Sequence, residues 1–122
     1  MLFMMICYNN EAQVMGWTQE EDDAVMARLS VVHDKLIAEG KLGPSGRLQA
    51  TGSAKTLVKS DPPFVHDGPY AETKEQFLGF YVIDVADMDD ALDVARQLGK
   101  ANPGGAYEVR PMRLYAAGEA VG

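Results

Sequence analysis

The chain opens on a run of apolar side chains, Met1-Leu2-Phe3-Met4-Met5-Ile6-Cys7-Tyr8, which reads as a buried first strand. Asn9, Asn10 and Glu11 end it as turn residues. Thr18 followed by Glu21 has the spacing of a capping box and sets a helix start. Beyond that cap, Val25, Leu29, Val32 and Leu36 recur at helical spacing, widened by Met26 and Ile37. Gly40 then ends the helix, where a left-handed residue is most easily accommodated. Arg47–Thr51 and Lys55–Lys59 read as two short strands around Gly52 and Ser53, hence a hairpin. Phe64–Asp67 is a short extended piece after Asp61-Pro62-Pro63, and Asp67-Gly68-Pro69 is a turn. Gln76–Val85 carries the strongest strand pattern in the chain. Asp87 caps a second helix whose Ala91, Val94, Ala95 and Leu98 share a face. Gly99 and Asn102-Pro103-Gly104-Gly105 end that helix, and Tyr107–Tyr115 forms a last strand.

The resulting β-α-β-β-α-β order predicts a single α+β domain over 1–122, ferredoxin-like βαββαβ with a hairpin inserted in its middle. Alternation within the strands carries a further implication. Phe77, Tyr81, Ile83 and Val85 point one way and Leu78, Phe80 and Val82 the other. The first strand is apolar on both sides as well. A sheet with one wet face alternates apolar with polar residues instead. Two helices cover one face, so the second face needs another cover. A second copy of the chain is the simplest one, because two-fold dimers are the commonest oligomers. The competing expectation is that the inserted hairpin and the tail cover that face within one chain.

Composition narrows the partners. The 122 residues are 47% hydrophobic and 24% charged, a globular make-up. Eleven Lys+Arg against eighteen Asp+Glu give a net charge of −7. That surface repels phosphate backbones, so no nucleic-acid partner is expected. No stretch approaches the roughly 20 apolar residues that span a bilayer, so no membrane partner is expected either. The lone Cys7 excludes an internal disulfide and fits a reducing, cytoplasmic setting. The apolar start lacks a basic leader and a small-residue cleavage site, so it is expected to be a strand and not a signal peptide. Two histidines without a Cys cluster or an HExxH offer no zinc site, and no phosphate loop or nucleophile elbow is present. No metal and no cofactor are expected.

The most distinctive run is His66-Asp67-Gly68-Pro69-Tyr70-Ala71-Glu72-Thr73-Lys74-Glu75. By composition it is either a solvated turn or a site at a strand end. Asp67-Gly68-Pro69-Tyr70-Ala71-Glu72-Thr73-Lys74-Glu75 resembles the DGPF motif, DGPFAETKE, of the YCII-related proteins, with Tyr70 in place of Phe. Gly79-Phe80-Tyr81, the Asp-rich start of the second helix and Glu108-Val109-Arg110-Pro111 fit the same pattern. Leu98-Gly99 departs from it by lacking a proline there. The resemblance implies a dimeric ferredoxin-like α/β-barrel with an active-site cleft that brings a His and an Asp together. It also implies kinship with proteins that act on small aromatic or chlorinated compounds, and with others that accompany extracytoplasmic-function sigma factors.

Two histidines compete for that cleft. Counting about 100° per residue from Val25, the apolar stripe runs from about −20° at Val32 to about 120° at Ile37, and His33 falls near 80°. An imidazole inside that wedge needs a hydrogen-bond partner, which an ordinary backbone carbonyl would satisfy. The resemblance matches His33 and Gly40 to a helix His ahead of a Gly. His66 adjoins Asp67 but points to the opposite side of an extended segment. The candidate catalytic residues are therefore His33 and Asp67, with Tyr70, Glu72, Lys74, Glu75 and His66 as candidate substrate-binding residues. A carboxylate beside the imidazole would orient it and raise its basicity for proton transfer near neutrality. Isomerisation, lyase chemistry and dehydrohalogenation all suit such a pair. A ligand-sensing regulatory dimer and a purely structural interaction protein are the rival readings.

Overall fold

The computed structural model describes residues 1–118 and shows a mixed α+β fold. One four-stranded antiparallel sheet has the order β2-β5-β1-β6, built from β1 (Leu2–Asn9), β2 (Leu42–Arg47), β5 (Gln76–Asp84) and β6 (Ala106–Pro111). The two most apolar strands are thus its inner pair. Their register sets Phe3 against Ile83, Met5 against Tyr81 and Cys7 against Gly79, with a bulge between Cys7 and Tyr8.

The helix α2 (Gln19–Ala38) starts as its sequence dictates. The Thr18 hydroxyl accepts from the Glu21 N–H at 3.1 Å, and the Glu21 carboxylate accepts from the Thr18 N–H at 3.3 Å. Gly40 follows its end at φ 71°, a conformation that costs glycine little. The helix α3 (Met88–Ala101) is capped by the Asp87 side chain, which accepts from the Asp90 N–H at 2.9 Å. Val25, Leu29 and Leu36 of α2 and Ala91, Val94 and Leu98 of α3 meet Phe3, Met5, Tyr81 and Ile83 in one core. Leu36 and Leu98 are fully buried, each worth about 2 kcal/mol in apolar area removed from water.

Several local expectations need correction. Asn9-Asn10-Glu11 does more than turn: Asn10 caps a short helix α1 (Glu11–Met15). Gly99 lies inside α3, not at its end. The last strand stops at Pro111, short of Tyr115. The Arg47–Thr51 segment does not pair with Lys55–Lys59. Residues up to Arg47 belong to β2 and hydrogen-bond to β5, and a single 3-10 turn follows at Thr51–Ser53. The inserted hairpin is instead β3 (Lys55–Val58) with β4 (Phe64–Asp67), a separate two-stranded sheet. Its Leu57, Phe64 and Val65 are exposed.

The buried residues of α2 and α3 cluster on one face of the main sheet, with Phe3, Met5, Tyr81 and Ile83. Ile6 and Val82, on the opposite face, stand outside that cluster. Part of the opposite face is screened by the sheet itself, since β2 is glycine-rich there. A side chain at Gly46 would strike the Phe80 ring at 2.7 Å, and one at Gly43 would touch Val82. Phe80 and Val82 therefore lie over the glycines of their neighbour strand.

Candidate functional site

Along the helix-facing side of β1 the residues run Phe3, Met5, Cys7, and along β5 they run Ile83, Tyr81, Gly79. Both inner strands carry their smallest side chain at the same end, Cys7 on one and Gly79 on the other. Above the Cys7–Gly79 pair the sheet has little to offer α2, and a cavity of about 270 Å³ opens there. Val25, Met26 and Leu29 of α2 and Trp17 give it apolar walls.

His33 continues the α2 row of Val25 and Leu29 by one more turn and lines this cavity. Its Nε2 lies 2.8 Å from the Tyr81 hydroxyl, and the two rings meet edge to face at 5.4 Å. Burial holds the imidazole below its ordinary value of 6.5, against a smaller opposing pull from Asp34. At neutral pH His33 is therefore an uncharged base with a phenol as its partner.

The other polar groups of the cavity are also neutral. Burial pushes the Cys7 thiol up to about 12. Burial and then the neighbouring Cys7 push Tyr107 up to about 12, with the Asn102 side chain pulling slightly the other way. Burial raises Tyr81 too, followed by Tyr107 and Cys7. The one formal charge pair is at the rim, where Arg47 Nη2 meets Asp22 Oδ1 at 2.5 Å and clips the end of β2 to the first turn of α2. That Arg47 hydrogen bond holds the Asp22 carboxyl below the usual carboxylate range.

Asp67 lies elsewhere. It ends β4, opposite Lys55 in the hairpin register, and its carboxylate meets Lys55 Nζ at 2.6 Å with a side chain 84% exposed. Among the described residues no hydrogen bond or ion pair joins His33 to Asp67 within the chain. His66 Nδ1 lies 3.0 Å from the Asp67 carbonyl oxygen, and its ring sits beside Phe64. Tyr70, Glu72 and Lys74 are exposed, and Glu75 is half-buried. Of the seven candidates named from sequence, only His33 borders the cavity. The reason is topological. The motif turn travels with a hairpin that forms its own sheet, held there by the Thr56 hydroxyl on the Gly68 carbonyl at 2.8 Å.

Sequence reasoning passed over Tyr81, Tyr107, Asn102 and Arg47 as site residues. For Tyr81 the signal was present: a phenol on the helix-facing side of a central strand must find a partner, as must an imidazole in an apolar helix stripe. Asn102 gave no comparable signal, since Asn-Pro-Gly-Gly reads only as a loop.

The model of the YCII-related domain matches residues 1–115, from β1 through β6 and every residue that lines the cavity. The chain belongs to the YCII-related family. An uncharacterized protein of Rhizobium meliloti (strain 1021) is 54% identical over 121 residues, which cover 98% of each chain. In this YCII-related chain no helix among the described residues is long and apolar enough to cross a membrane. Nor do the described residues bring three His, Cys, Asp or Glu side chains together as a metal site.

Proposed function

We propose that this YCII-related protein is a homodimer that takes a small uncharged organic molecule into the cavity between α2 and the sheet and moves a proton on it with His33. The observation that carries this reading is the neutral imidazole at 2.8 Å from the Tyr81 hydroxyl, inside an apolar cavity. A base that stays deprotonated at neutral pH can accept a proton from a carbon acid, and the paired phenol can share or return it. Isomerisation, elimination of a leaving group such as halide, and lyase chemistry all begin with that step. The strand order β2-β5-β1-β6 supports a ferredoxin-like arrangement. On the face without helices Ile6 and Val82 are already buried within one chain, and the half-buried Phe80 is the apolar surface there that supports pairing of two copies. Asp67, the other half of the pair the motif suggests, would reach His33 only from the hairpin of a second copy.

A suitable probe is 5-nitrobenzisoxazole, whose ring opens to a coloured phenolate when a base removes its carbon-bound proton. The wild-type protein should open it about a hundred-fold faster than free imidazole at equal concentration. The rate should rise with pH through a midpoint below 6.5, as His33 deprotonates. His33→Ala should return it to background with the far-UV spectrum unchanged, and Asp67→Asn tests the second-copy contribution. A wild-type rate no better than imidazole, or one insensitive to His33→Ala, removes proton transfer from the reading.

The rival reading is a ligand-sensing dimer without catalysis. It is favoured by the absence, among the described residues, of any carboxylate hydrogen-bonded to His33, whose Nε2 is already engaged by Tyr81. Saturable binding in the cavity with no turnover would select it.

A further inference from the structure

Opposed residues of a β-ladder share a face. The β3–β4 register therefore puts Lys55 and Asp67 on the same side as Leu57 and Val65, and Thr56 and His66 on the same side as Val58 and Phe64. The two sides differ in burial. Thr56, Val58 and His66 are half-buried, whereas all four residues of the other side are exposed, Leu57 at 58% and Val65 at 61%. A solvated strand face ordinarily carries polar side chains, and this one sets two aliphatic side chains directly opposite each other. Two strands of four residues are also marginal as an independent sheet, because stability comes from further strands or from packing on a face. Within one chain this face is left to solvent.

The whole chain is rich in surface. It exposes 8496 Å², where a compact monomer of 13.3 kDa exposes about 6,500 Å². The difference of about 2,000 Å² exceeds the roughly 800 Å² that each partner contributes to a stable interface.

Charge selects the occupant, since the exposed face is its own complement. A half-turn about a line parallel to the strands, midway between them and just above the face, lays β3 of one copy over β4 of the other. Leu57 then covers the partner's Val65 and Lys55 covers the partner's Asp67, each contact occurring twice as a two-fold axis requires. Within each copy Lys55 Nζ already meets the Asp67 carboxylate at 2.6 Å, so the four charges alternate in sign around the axis. A half-turn about a line across the strands, through the charged pair, would set like over like instead. A partner of uniform charge would meet its own sign at one of the two positions.

We infer that the β3–β4 hairpin is an arm of the homodimer, its Leu57–Val65 face seated on the same face of a second copy's hairpin. This rests on the homodimer proposed above and names a surface that holds it, in addition to the one around Phe80. Asp67 then serves the contact between copies, and proton transfer falls to His33 and Tyr81.

Mixing charge variants tests the contact without any ligand. In Lys55→Glu homodimers two like-charged contacts replace two attractive ones, and Asp67→Lys homodimers suffer the same with the opposite sign. A heterodimer of these two variants regains attraction at both positions. Single exposed pairs are weak, but the changes act together. Equal mixing in about 0.15 M salt should therefore give about four-fifths heterodimer or more by native mass spectrometry, where chance gives about half. Lys100→Glu mixed with Asp93→Lys, exposed positions of α3 with the same net charges, should stay at about half. Lys55→Glu and Asp67→Lys combined in one chain should restore homodimer affinity, and Val65→Glu should lower it by about ten-fold or more. Chance mixing of the two hairpin variants overturns the arm, as does an equal excess from the α3 pair or unchanged affinity in Val65→Glu. A wild type that is still dimeric in those cases keeps the homodimer reading and loses only the arm. A wild type that stays monomeric at micromolar concentration ends both.

Discussion

Removing a single oxygen, by Tyr81→Phe, probes the centre of the cavity with little change to the core. The Tyr81 ring is 8% exposed and packs with Phe3, Met5 and Ile83, contacts that phenylalanine keeps. What disappears is the 2.8 Å bond to His33 Nε2. A hydrogen bond of this kind is worth about 1 kcal/mol net, and a deeply buried orphan would cost up to about 3 kcal/mol. His33 is only half-buried and faces the cavity, where water can replace the phenol, so the low end applies. A double-mutant cycle of Tyr81→Phe and His33→Leu, followed by urea unfolding at pH 7.5, should give a coupling of about 1 kcal/mol at constant m. Acidification adds a signed test. The folded pKa of His33 lies below the unfolded value of 6.5, so between them the unfolded chain binds more protons. His33 then contributes no penalty above pH 6.5, and stability falls as pH drops through its folded value. One proton sets a ceiling of about 1.4 kcal/mol per pH unit, and the partial exposure of His33 keeps the slope to a fraction of that. His33→Leu should flatten stability between pH 6.5 and 5.5. A coupling below about 0.3 kcal/mol, or the same slope in His33→Leu, would refute a neutral, Tyr81-bonded imidazole.

Three further expectations follow from single residues. Gly105→Ala forces a positive φ on an L-residue and drives Cβ into the Tyr8 carbonyl, so it should cost more than about 2 kcal/mol in urea unfolding, and a loss below about 0.5 kcal/mol would contradict the pressed loop. The Cys7 thiol, moved from 9.0 to about 12 by burial, should react with Ellman's reagent at pH 8 about a hundred-fold more slowly, or slower still, in folded than in urea-unfolded protein; equal rates would place it in solvent. Gel filtration with light scattering should give about twice 13.3 kDa, reduced to one copy by Phe80→Glu on the face without helices, and a clean wild-type monomer at micromolar concentration would end the dimer reading.

Much of the architecture was legible because local chemistry and periodicity agreed. Thr18 with Glu21, the row from Val25 to Leu36, Gly40 and the Asp87 cap each carry their own physical cause, and each stands where that cause puts it. The middle of the chain resisted because strand pairing is not local. Nothing in Arg47–Thr51 or Lys55–Lys59 says that the first belongs beside β5 and the second beside Phe64–Asp67. The same ambiguity bears on the site. Asp67 draws the eye as the head of a specific motif, yet its position depends on which sheet its strand joins. His33 depended only on the face of a helix, which counting residues determines.

The cavity and the core are products of one register. Pairing Phe3 with Ile83 and Met5 with Tyr81 brings the largest side chains beneath the two helices, and the same alignment brings Cys7 against both Gly79 and Tyr107. Slipping β1 by one residue would turn Phe3, Met5 and Cys7 to the opposite face, emptying the core and removing Cys7 from beside Tyr81 and Tyr107 together. Burial of Phe3, Met5 and Ile83, each 1% exposed or less, thus fixes the positions of Tyr81 and Tyr107 without any interaction dedicated to the site. The helix side works alike, since Leu29 and Leu36 fix the rotation of α2 and with it the aim of His33. Asn102 alone is placed by other means, through a glycine loop pressed on Tyr8 and an arginine on the Ala101 carbonyl. Core packing already accounts for the positions of His33 and Tyr81, so neither position by itself implies a ligand. The glycine loop that carries Asn102 is the part of the cavity wall whose position the core does not explain, and its contact with Tyr8 and the Arg28 bond to the Ala101 carbonyl supply that position instead.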